Sequence, residues 1–469
     1  MTHAHAHECP VWPSPALPAG GREQRLVGLY PQRQEGLFMQ RLKLLGGRLT
    51  AEQWRGIGDL VERFTLTRPS ATLSLKGEGS SGGRPLHLTT RQDVEFHNVA
   101  AADVPGLQRG LADLGLTAVG ACGDTVRNVT VCHGSGLRGC GLPEVMPLAT
   151  AIRDALMAHP SVFGLPRKFK VTLSACHKGC SRPYISDLAF VGRQDGRLAV
   201  IGAGSLGARP ATGIELYEAV EVADAVPLAL AALDLFDAEG DRQNRNRARL
   251  RHVRERLGDA EFRRRLDERF QVRRGGATAP AINLRPPGVA AVKAVRLQFP
   301  CGDVTAAQAR ALGDLAAEGG VEVRIGLQHG VRVYRAEASQ MPAALAGVVG
   351  GPKVVCCPGA DTCPRGLTHT RRAAQRIAAA MVAGELKGIE VNISGCPNGC
   401  AHSAVATVGL AARVRQVDGQ PVECYQVLTG GGRGRGPELA QPVGEPVAEE
   451  RIVEVLREVA ATMDSKGGD

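Results

Sequence analysis

Hydrophobic and polar residues follow the same succession of patterns in the two halves of the chain. In each half a threonine is followed three positions later by a glutamine and then by an apolar-periodic segment, beginning at Thr50 and again at Thr305. This arrangement is typical of a capping box at the start of an amphipathic helix. After each helix, polar and apolar residues alternate over 86–96 and over 321–333, which predicts a β-strand in each half.

Each predicted strand is followed by two cysteine-bearing loops with a predicted helix between them. In the first half these lie at 132–140, 144–158 and 176–180, and in the second half at 357–363, 365–383 and 396–400. The matching features keep their order, which indicates an internal duplication. We therefore predict an α/β (α+β) architecture in which two similar units, with mixed sheets and flanking helices, are related by a pseudo-two-fold axis.

The duplication also divides the chain into segments. We predict a flexible N-terminal segment at 1–24, a first repeat at 25–239, a basic helical connector at 240–280, a second repeat at 281–460 and a C-terminal tail at 461–469. Arginines in the connector are interspersed with acidic residues, which favours a solvated helix over a nucleic-acid-binding patch.

Composition and charge narrow the class of protein. The chain has 469 residues, no apolar run long enough to span a membrane, and no secretory pattern at its N-terminus. We therefore expect a cytoplasmic protein without a membrane segment, whose 13 cysteines include metal ligands rather than a disulfide framework. The net charge of +10 suits an anionic substrate or an acidic partner, while the aromatic content of 4% argues against nucleic-acid binding by base stacking.

The second-half cysteines form the strongest candidate metal site. They lie in two tight loops, with five residues between the first two and three between the last two, at Cys357, Cys363, Cys396 and Cys400. Four thiolates are what a cubane iron–sulfur cluster requires, whereas structural zinc is the main alternative. The spacings, the glycines of the loops and Pro397 favour the cluster.

Four basic residues distinguish the first half from the second. These are Arg91, Arg127, Lys168 and Lys170, and their second-half counterparts are Gln328, Pro352, Gly388 and Glu390. In a pseudo-two-fold pair, a cofactor held by one half commonly faces the other half. The second-half cysteines are therefore expected to face a cationic pocket suited to a small, multiply charged oxyanion.

At these residues the chain resembles the sulfite and nitrite reductase hemoprotein family over about residues 25–460. The resemblance rests on the second-half cysteine spacing and on four short motifs: Gly-Cys-Pro-Asn-Gly-Cys at 395–400, Thr-Thr-Arg-Gln at 89–92, Arg-Asn at 127–128 and Leu-Pro-Arg-Lys-Phe-Lys at 165–170. It implies a [4Fe–4S] cluster on the second-half cysteines, coupled to siroheme through Cys400 as the axial ligand. It also implies that the four basic residues bind the substrate anion, and that further arginines contact the siroheme carboxylates, with Arg33, Arg41, Arg138 and Arg167 as candidates.

The function implied by the resemblance is the six-electron reduction of sulfite to sulfide, with reduction of nitrite to ammonia as the alternative. Family members that favour nitrite often carry asparagine at the position of Lys170, and an extra cation favours the dianion sulfite. No flavin or nicotinamide motif is visible, so a ferredoxin or a flavoprotein partner is expected to donate the electrons. A precorrin-3B synthase-like oxygenase and a non-catalytic metal scaffold are the remaining alternatives.

The first-half cysteines depart from the family pattern. Cys132, Cys140, Cys176 and Cys180 repeat the second-half set with a longer first spacing. Three interpretations stay open: a second [4Fe–4S] cluster that relays electrons, a relic that binds nothing, or a tetrapyrrole site of its own.

Overall fold

A computed structural model describes residues 10–13, 21–65, 85–137, 144–276, 292–335, 340–432, 434 and 438–466. The helices of these residues are α1 (Arg22–Leu26), α2 (Ala51–Phe64), α3 (Val104–Asp113), α4 (Met146–Met157), α5 (Ala225–Glu239), α6 (Leu250–Leu257), α7 (Asp259–Gly275), α8 (Ala306–Ala317), α9 (Ala343–Ala346), α10 (Thr370–Val382) and α11 (Ile452–Lys466). None of the described helices is both long and apolar enough to cross a membrane.

The strands of the first half are β1 (Leu29–Pro31), β2 (Leu37–Arg41), β3 (Leu86–Leu88), β4 (Val94–Ala100), β5 (Thr130–Val131), β6 (Val171–Ser174), β7 (Leu188–Gly192), β8 (Leu198–Gly202) and β9 (Ile214–Val220). Those of the second half are β10 (Lys293–Gln298), β11 (Asp303–Val304), β12 (Glu322–Ile325), β13 (Gly330–Arg335), β14 (Val354–Cys356), β15 (Val391–Ser394), β16 (Val408–Val417), β17 (Gln420–Thr429) and β18 (Gln441–Ala448).

The predicted duplication is confirmed by two outer sheets with the same topology. One has the order β5-β6-β7-β8-β9 and the other β14-β15-β16-β17-β18. In both, the first three strands are parallel and the last two are added antiparallel. Cysteine loops follow the carboxyl ends of β5 and β6 and of β14 and β15, the sheet edge where parallel α/β architectures commonly place ligand sites.

The two halves meet in a shared centre. Strand β3 of the first half pairs with β11 of the second through His87 and Asp303. At the equivalent positions with the halves exchanged, the backbones of Arg48 and Arg324 form an isolated antiparallel β-bridge. The central apolar core likewise combines residues from both halves, including Trp54 and Phe299. These reciprocal contacts are what a pseudo-two-fold relation requires.

Helices α2 and α8 cross at this centre, and both predicted capping boxes are present. Thr50 and Thr305 each accept a hydrogen bond from the backbone of the glutamine three positions later. At the crossing, a Cβ on Gly58 would lie 2.9 Å from the Ala306 carbonyl oxygen, and one on Gly313 would lie 2.7 Å from the Ala51 carbonyl oxygen. Because the obstructing atoms belong to the backbone, each glycine lets the facing helix approach closely.

The glycine contact predicts that Gly313→Ala destabilises the protein. Alanine is the better helix former by about 1 kcal/mol, yet overpacking at a backbone contact costs about 1–3 kcal/mol. We expect a lower thermal midpoint, measured by differential scanning calorimetry. Gly319→Ala is the control, because no atom lies within 4 Å of its added Cβ. An equal midpoint for both variants would contradict this account.

The prediction of a single alternating strand in each half was wrong. Each segment is a hairpin, β3–β4 and β12–β13, and its turn contains a residue in the left-handed region, Gln92 at φ 63° and His329 at φ 55°. Alternation continues through the turn, so the period alone does not reveal the reversal. As a result Arg91 lies in a tight turn rather than along a strand.

The connector is less solvated than its charges suggest. Phe262, Leu266 and Phe270 of α7 enter the apolar core of the first repeat, while the other face of the helix carries exposed ion pairs. Arg249, just before α6, is only 7% exposed. The prediction that the arginines of the connector are exposed to solvent is therefore wrong for Arg249. Helix α11 continues to Lys466 and therefore includes the first part of the predicted C-terminal tail at 461–469.

Candidate active site

The second-half cysteine loops are held by backbone hydrogen bonds at the end of the outer sheet. Cys357 directly follows β14, and its N–H donates to the Ile393 carbonyl of β15 at 3.2 Å. The Gly395 N–H donates to the Cys357 Sγ at 3.2 Å. Cys396 is buried and Cys400, at the tip of its loop, is exposed. The loops therefore hold thiols at fixed places and leave one of them accessible.

The four thiols lie close enough to influence one another electrostatically. Burial and the neighbouring Cys400 thiol raise the pKa of Cys357 to about 12, and the same causes raise the pKa of Cys396 to about 11. Among the described residues, no three His, Cys, Asp or Glu side chains converge on a point that one metal ion could occupy. A cubane cluster would take one thiolate on each iron.

The first half contacts the loop that carries the exposed Cys400. The Thr90 hydroxyl, in the β3–β4 turn, donates to the Cys400 carbonyl at 2.7 Å. Arg91 follows in the same turn. Lys168 is near enough to Cys400 for the two side chains to affect each other's charge. Lys168 and Lys170 flank the buried Phe169 just before β6, where Phe169 bridges to Val126.

Three of the four basic residues form one group. Lys170 lies within electrostatic range of both Arg91 and Lys168. The Arg91 Nη2 donates to the Asn128 carbonyl at 2.5 Å, whereas its Nε is buried and has no hydrogen-bond partner among the described residues. Arg127 folds back on its own loop, donating to the carbonyls of Gly123 at 3.0 Å and Ala121 at 2.7 Å. It contributes charge while its hydrogen bonds support the loop.

Burial and the neighbouring cations lower the pKa values of these residues. Burial, followed by Arg127 and Arg249, lowers the pKa of Lys168 to about 7. Burial lowers the pKa of Arg91 to about 10, and burial together with Arg91 and Lys168 lowers the pKa of Lys170 well below its usual value. A bound anion would relieve this repulsion, which is the electrostatic signature of an anion site.

Arg249 and Asp187 belong to the site but were not predicted. Asp187 accepts two hydrogen bonds from Arg249, at 2.7 and 3.1 Å, and a third from the Lys170 N–H at 2.8 Å. The Asp187 side chain is fully buried. Arg249 comes from the connector, which has no counterpart in the repeat, so neither spacing nor duplication pointed to it.

Two further residues lie near the cationic group. His402 and its first-half counterpart Arg182 are buried and adopt the left-handed conformation, at φ 63° and φ 54°. His402 faces Arg182, Lys170 and Arg91, which with burial lower its pKa well below the usual range. The Nδ1 atoms of His402 and His329 are buried without a hydrogen-bond partner among the described residues. A histidine two positions after a cysteine ligand was the signal available in the sequence.

The candidate siroheme contacts are placed unevenly. Arg33 lies against the second-half cysteine loop, donating to the Gly366 carbonyl at 2.7 Å. Arg41 is paired with Glu95, and Arg167 is paired with Asp124. Arg138 and the candidate ligand Cys140 lie outside the described residues. Their assignment as carboxylate contacts or ligands stays a prediction.

Comparison with protein families identifies the class. The model of the nitrite and sulphite reductase 4Fe-4S domain matches residues 122–274 and 352–467, more than half of the chain. That of the nitrite/sulfite reductase ferredoxin-like half domain matches residues 30–68. The chain therefore belongs to the nitrite and sulfite reductase family, which confirms the predicted family and makes the protein an oxidoreductase.

Individual relatives resemble the chain over nearly its whole length. It is 29% identical to the ferredoxin–nitrite reductase of Synechococcus elongatus, covering 95% of this chain and 90% of the relative. It is 26% identical to the assimilatory ferredoxin-dependent nitrite reductase of Haloferax mediterranei, covering 91% and 79%. The solved structure of the Mycobacterium tuberculosis NirA protein matches with a TM-score of 0.78 and 23% identity, covering 93% of this chain and 86% of that one. The last comparison confirms the fold class.

Membership implies a [4Fe–4S] cluster, which the family description names, together with siroheme. The residues present fit both groups. The thiols of Cys357, Cys363 and Cys396 all lie within electrostatic range of Cys400, and four thiolates are what a cluster needs. Cations and orphaned polar atoms, including the Arg91 Nε and the His402 Nδ1, surround the exposed Cys400 and suit a polycarboxylate ligand with a small anion beside it.

Proposed function

We propose that this protein catalyses the ferredoxin-dependent, six-electron reduction of a small oxyanion, with sulfite as the first candidate substrate and nitrite as the second. The observation that carries the proposal is the group formed by Arg91, Lys168 and Lys170 on the first half, which lies beside Cys400 of the second half. The names of the curated relatives support the use of ferredoxin and the reductase chemistry.

The assigned roles follow from charge and position. Cys357, Cys363, Cys396 and Cys400 would hold the cluster, and Cys400 would also bind siroheme. When bound, the two cofactors supply single electrons and the iron at which the oxyanion is reduced. Arg91 and Lys170 attract and orient the anion, and they stabilise negative charge on its oxygen atoms.

Lys168 is the best placed proton donor. Its pKa of about 7 lets the Nζ both hold and release a proton near neutral pH. Reduction of either oxyanion consumes protons as oxygen atoms leave as water. Burial, together with the neighbouring cations, lowers the pKa of Lys168 and so suits it to donate protons in the reaction.

Lys170 favours sulfite as the substrate. A third cation beside Arg91 and Lys168 stabilises a dianion more than a monoanion, because Coulomb attraction scales with the charge of the ligand. Nitrite is the second candidate because the cited curated relatives are named as nitrite reductases. A precorrin-3B synthase-like oxygenase fits less well, since a large tetrapyrrole substrate does not need a pocket for a small oxyanion.

Substitution of Lys170 tests the choice between the two substrates. We expect Lys170→Asn to lower kcat/KM for sulfite at least about tenfold more than kcat/KM for nitrite, a difference of about 1.4 kcal/mol in transition-state stabilisation. The measurement is steady-state turnover of both anions with reduced ferredoxin, at one pH and ionic strength.

Lys387→Asn is the matched control, because it also removes one lysine but at an exposed position in the second half. It should leave both turnovers unchanged. Equal losses for the two anions in Lys170→Asn would remove the basis for preferring sulfite. Absence of turnover with either anion in the cofactor-loaded wild type would refute the reductase proposal itself.

A further inference from the structure

The first half contains a second set of thiols at positions equivalent to those of the cluster ligands. Cys132, Cys176 and Cys180 (the first-half thiols) are present as thiols, two of them buried and one partly buried. A single buried thiol commonly behaves as a small apolar side chain. Three of them at ligand-equivalent positions of a duplicated fold call for another explanation.

The backbone around Cys132 matches that around Cys357. The Cys132 N–H donates to the Leu173 carbonyl of β6 at 3.0 Å, as the Cys357 N–H donates to the Ile393 carbonyl of β15. Each sulfur also accepts a hydrogen bond from the backbone N–H two residues later. The thiol therefore leaves the sheet edge at the same point in both halves.

The loop that carries Cys176 and Cys180 also has the conformation of its counterpart. The glycine before the last cysteine is left-handed in both loops, Gly179 at φ 69° and Gly399 at φ 65°. A short 3-10 turn follows each loop, at Pro183–Ile185 and at Ser403–Val405. The Cys132 thiol is hydrogen-bonded to that of Cys180, with Cys176 within electrostatic range.

The second half fixes this loop region across the pseudo-two-fold axis. The Tyr334 hydroxyl hydrogen-bonds the Nδ1 of His133 at 2.6 Å. The Arg324 Nη1 donates to the carbonyls of His133 at 3.0 Å and Ser135 at 2.6 Å. Arg324 is itself buried. The position of Cys132 is thus set by contacts from the opposite half, as Thr90 sets the position of Cys400.

The second-half counterparts of the active-site cations differ from them in charge. Gln328 and Glu390, the counterparts of Arg91 and Lys170, are hydrogen-bonded to each other at 3.1 Å, and Lys353 neutralises Glu390 at 2.6 Å. The second half thus has a hydrogen-bonded and neutralised glutamate where the first half has the cations that would hold an oxyanion or tetrapyrrole carboxylates. A metal group here would carry electrons without binding the substrate.

We propose that Cys132, Cys176 and Cys180 bind a second iron–sulfur cluster, distinct from the cluster at Cys400. Its irons would be held by thiolates already arranged by the duplicated backbone. The proposal does not depend on which oxyanion is reduced.

Metal analysis of the whole protein, purified anaerobically and loaded with siroheme, tests the proposal. We expect about eight irons and eight acid-labile sulfides from two clusters, plus about one iron from siroheme. About five irons per siroheme would overturn the proposal. This result is obtained on the wild-type protein, so it does not depend on whether a variant folds. Zinc in place of the additional iron would also overturn it.

Variants assign the additional iron to the first-half thiols. Cys176→Ala/Cys180→Ala should lose about four irons and four sulfides while keeping siroheme and its absorption spectrum. Cys424→Ala, a buried cysteine on β17 outside both sets, is the control and should keep all of them. Unchanged iron in the double variant would overturn the proposal. Because siroheme content and oxyanion turnover are measured separately, failure of the reductase function would be recognised independently.

Discussion

Arg249→Met is expected to lower both the stability of the protein and its affinity for the oxyanion. The variant leaves the Asp187 carboxylate, which is fully buried, without its cationic partner. Removing one member of a buried ion pair costs about 3–5 kcal/mol, because the remaining charge is neither paired nor hydrated. Asp187 also accepts the Lys170 N–H, so its displacement moves Lys170.

The consequence for activity should appear in KM more than in kcat. Arg249 is a positioning residue: it acts through Asp187 on the place of Lys170 and adds positive potential to the anion site. We expect KM for the oxyanion to rise at least about tenfold, or about 1.4 kcal/mol in binding free energy. A lower thermal midpoint, measured on the same sample, reports the loss of the ion pair.

Two further variants separate structure from positioning. Arg249→Met/Asp187→Asn removes the buried charge and should regain part of the thermal midpoint, while KM stays high because the added positive potential is still missing. Arg254→Met breaks a more exposed pair with Asp259 on the same connector and should cost no more than about 1 kcal/mol. Unchanged KM in Arg249→Met would show that Arg249 has only a structural role.

Lys168 is expected to make anion affinity depend on pH near neutrality. Its pKa is lowered to about 7, chiefly by burial and then by Arg127 and Arg249, so its charge is present below that pH and lost above it. Affinity for a monoanion should therefore weaken as pH rises through about 7, by up to tenfold per pH unit where anion binding requires the protonated lysine. Nitrite is the suitable probe because it stays a monoanion over this range.

The stability of the protein should respond in the opposite direction. Between about pH 7 and the unfolded pKa of about 10.4, the unfolded lysine binds more protons than the folded one. The free energy of unfolding contributed by Lys168 therefore rises with pH across this window. Opposite trends in stability and anion affinity are difficult to produce by general alkaline damage.

Substitutions at Lys168 identify the titrating group. Lys168→Arg keeps the charge at every working pH and should flatten the pH dependence of nitrite affinity while retaining binding. Lys168→Met should also flatten it, but at about tenfold or more weaker affinity. If both variants kept the slope of the wild type, another group would be responsible.

Much of the architecture was predictable because local chemistry repeats along the chain. The capping boxes at Thr50 and Thr305 depend on hydrogen bonds over three residues, and both are present. The predicted helices at 144–158 and 365–383 also formed, as Met146–Met157 and Thr370–Val382. The hairpin turns at Gln92 and His329 were missed because alternation does not register a reversal of the chain.

The sequence by itself determined the duplication, the family, and the residue types of both cysteine sets, because these follow from order and spacing. Only the tertiary structure decided that Thr90 reaches Cys400, that Arg249 enters the anion site through Asp187, and that Glu390 pairs with Lys353. These contacts join residues that are distant along the chain, and Arg249 comes from a connector outside the repeat. Charge and burial depend on what folding brings together, so the electrostatics of the site could not be derived from spacing alone.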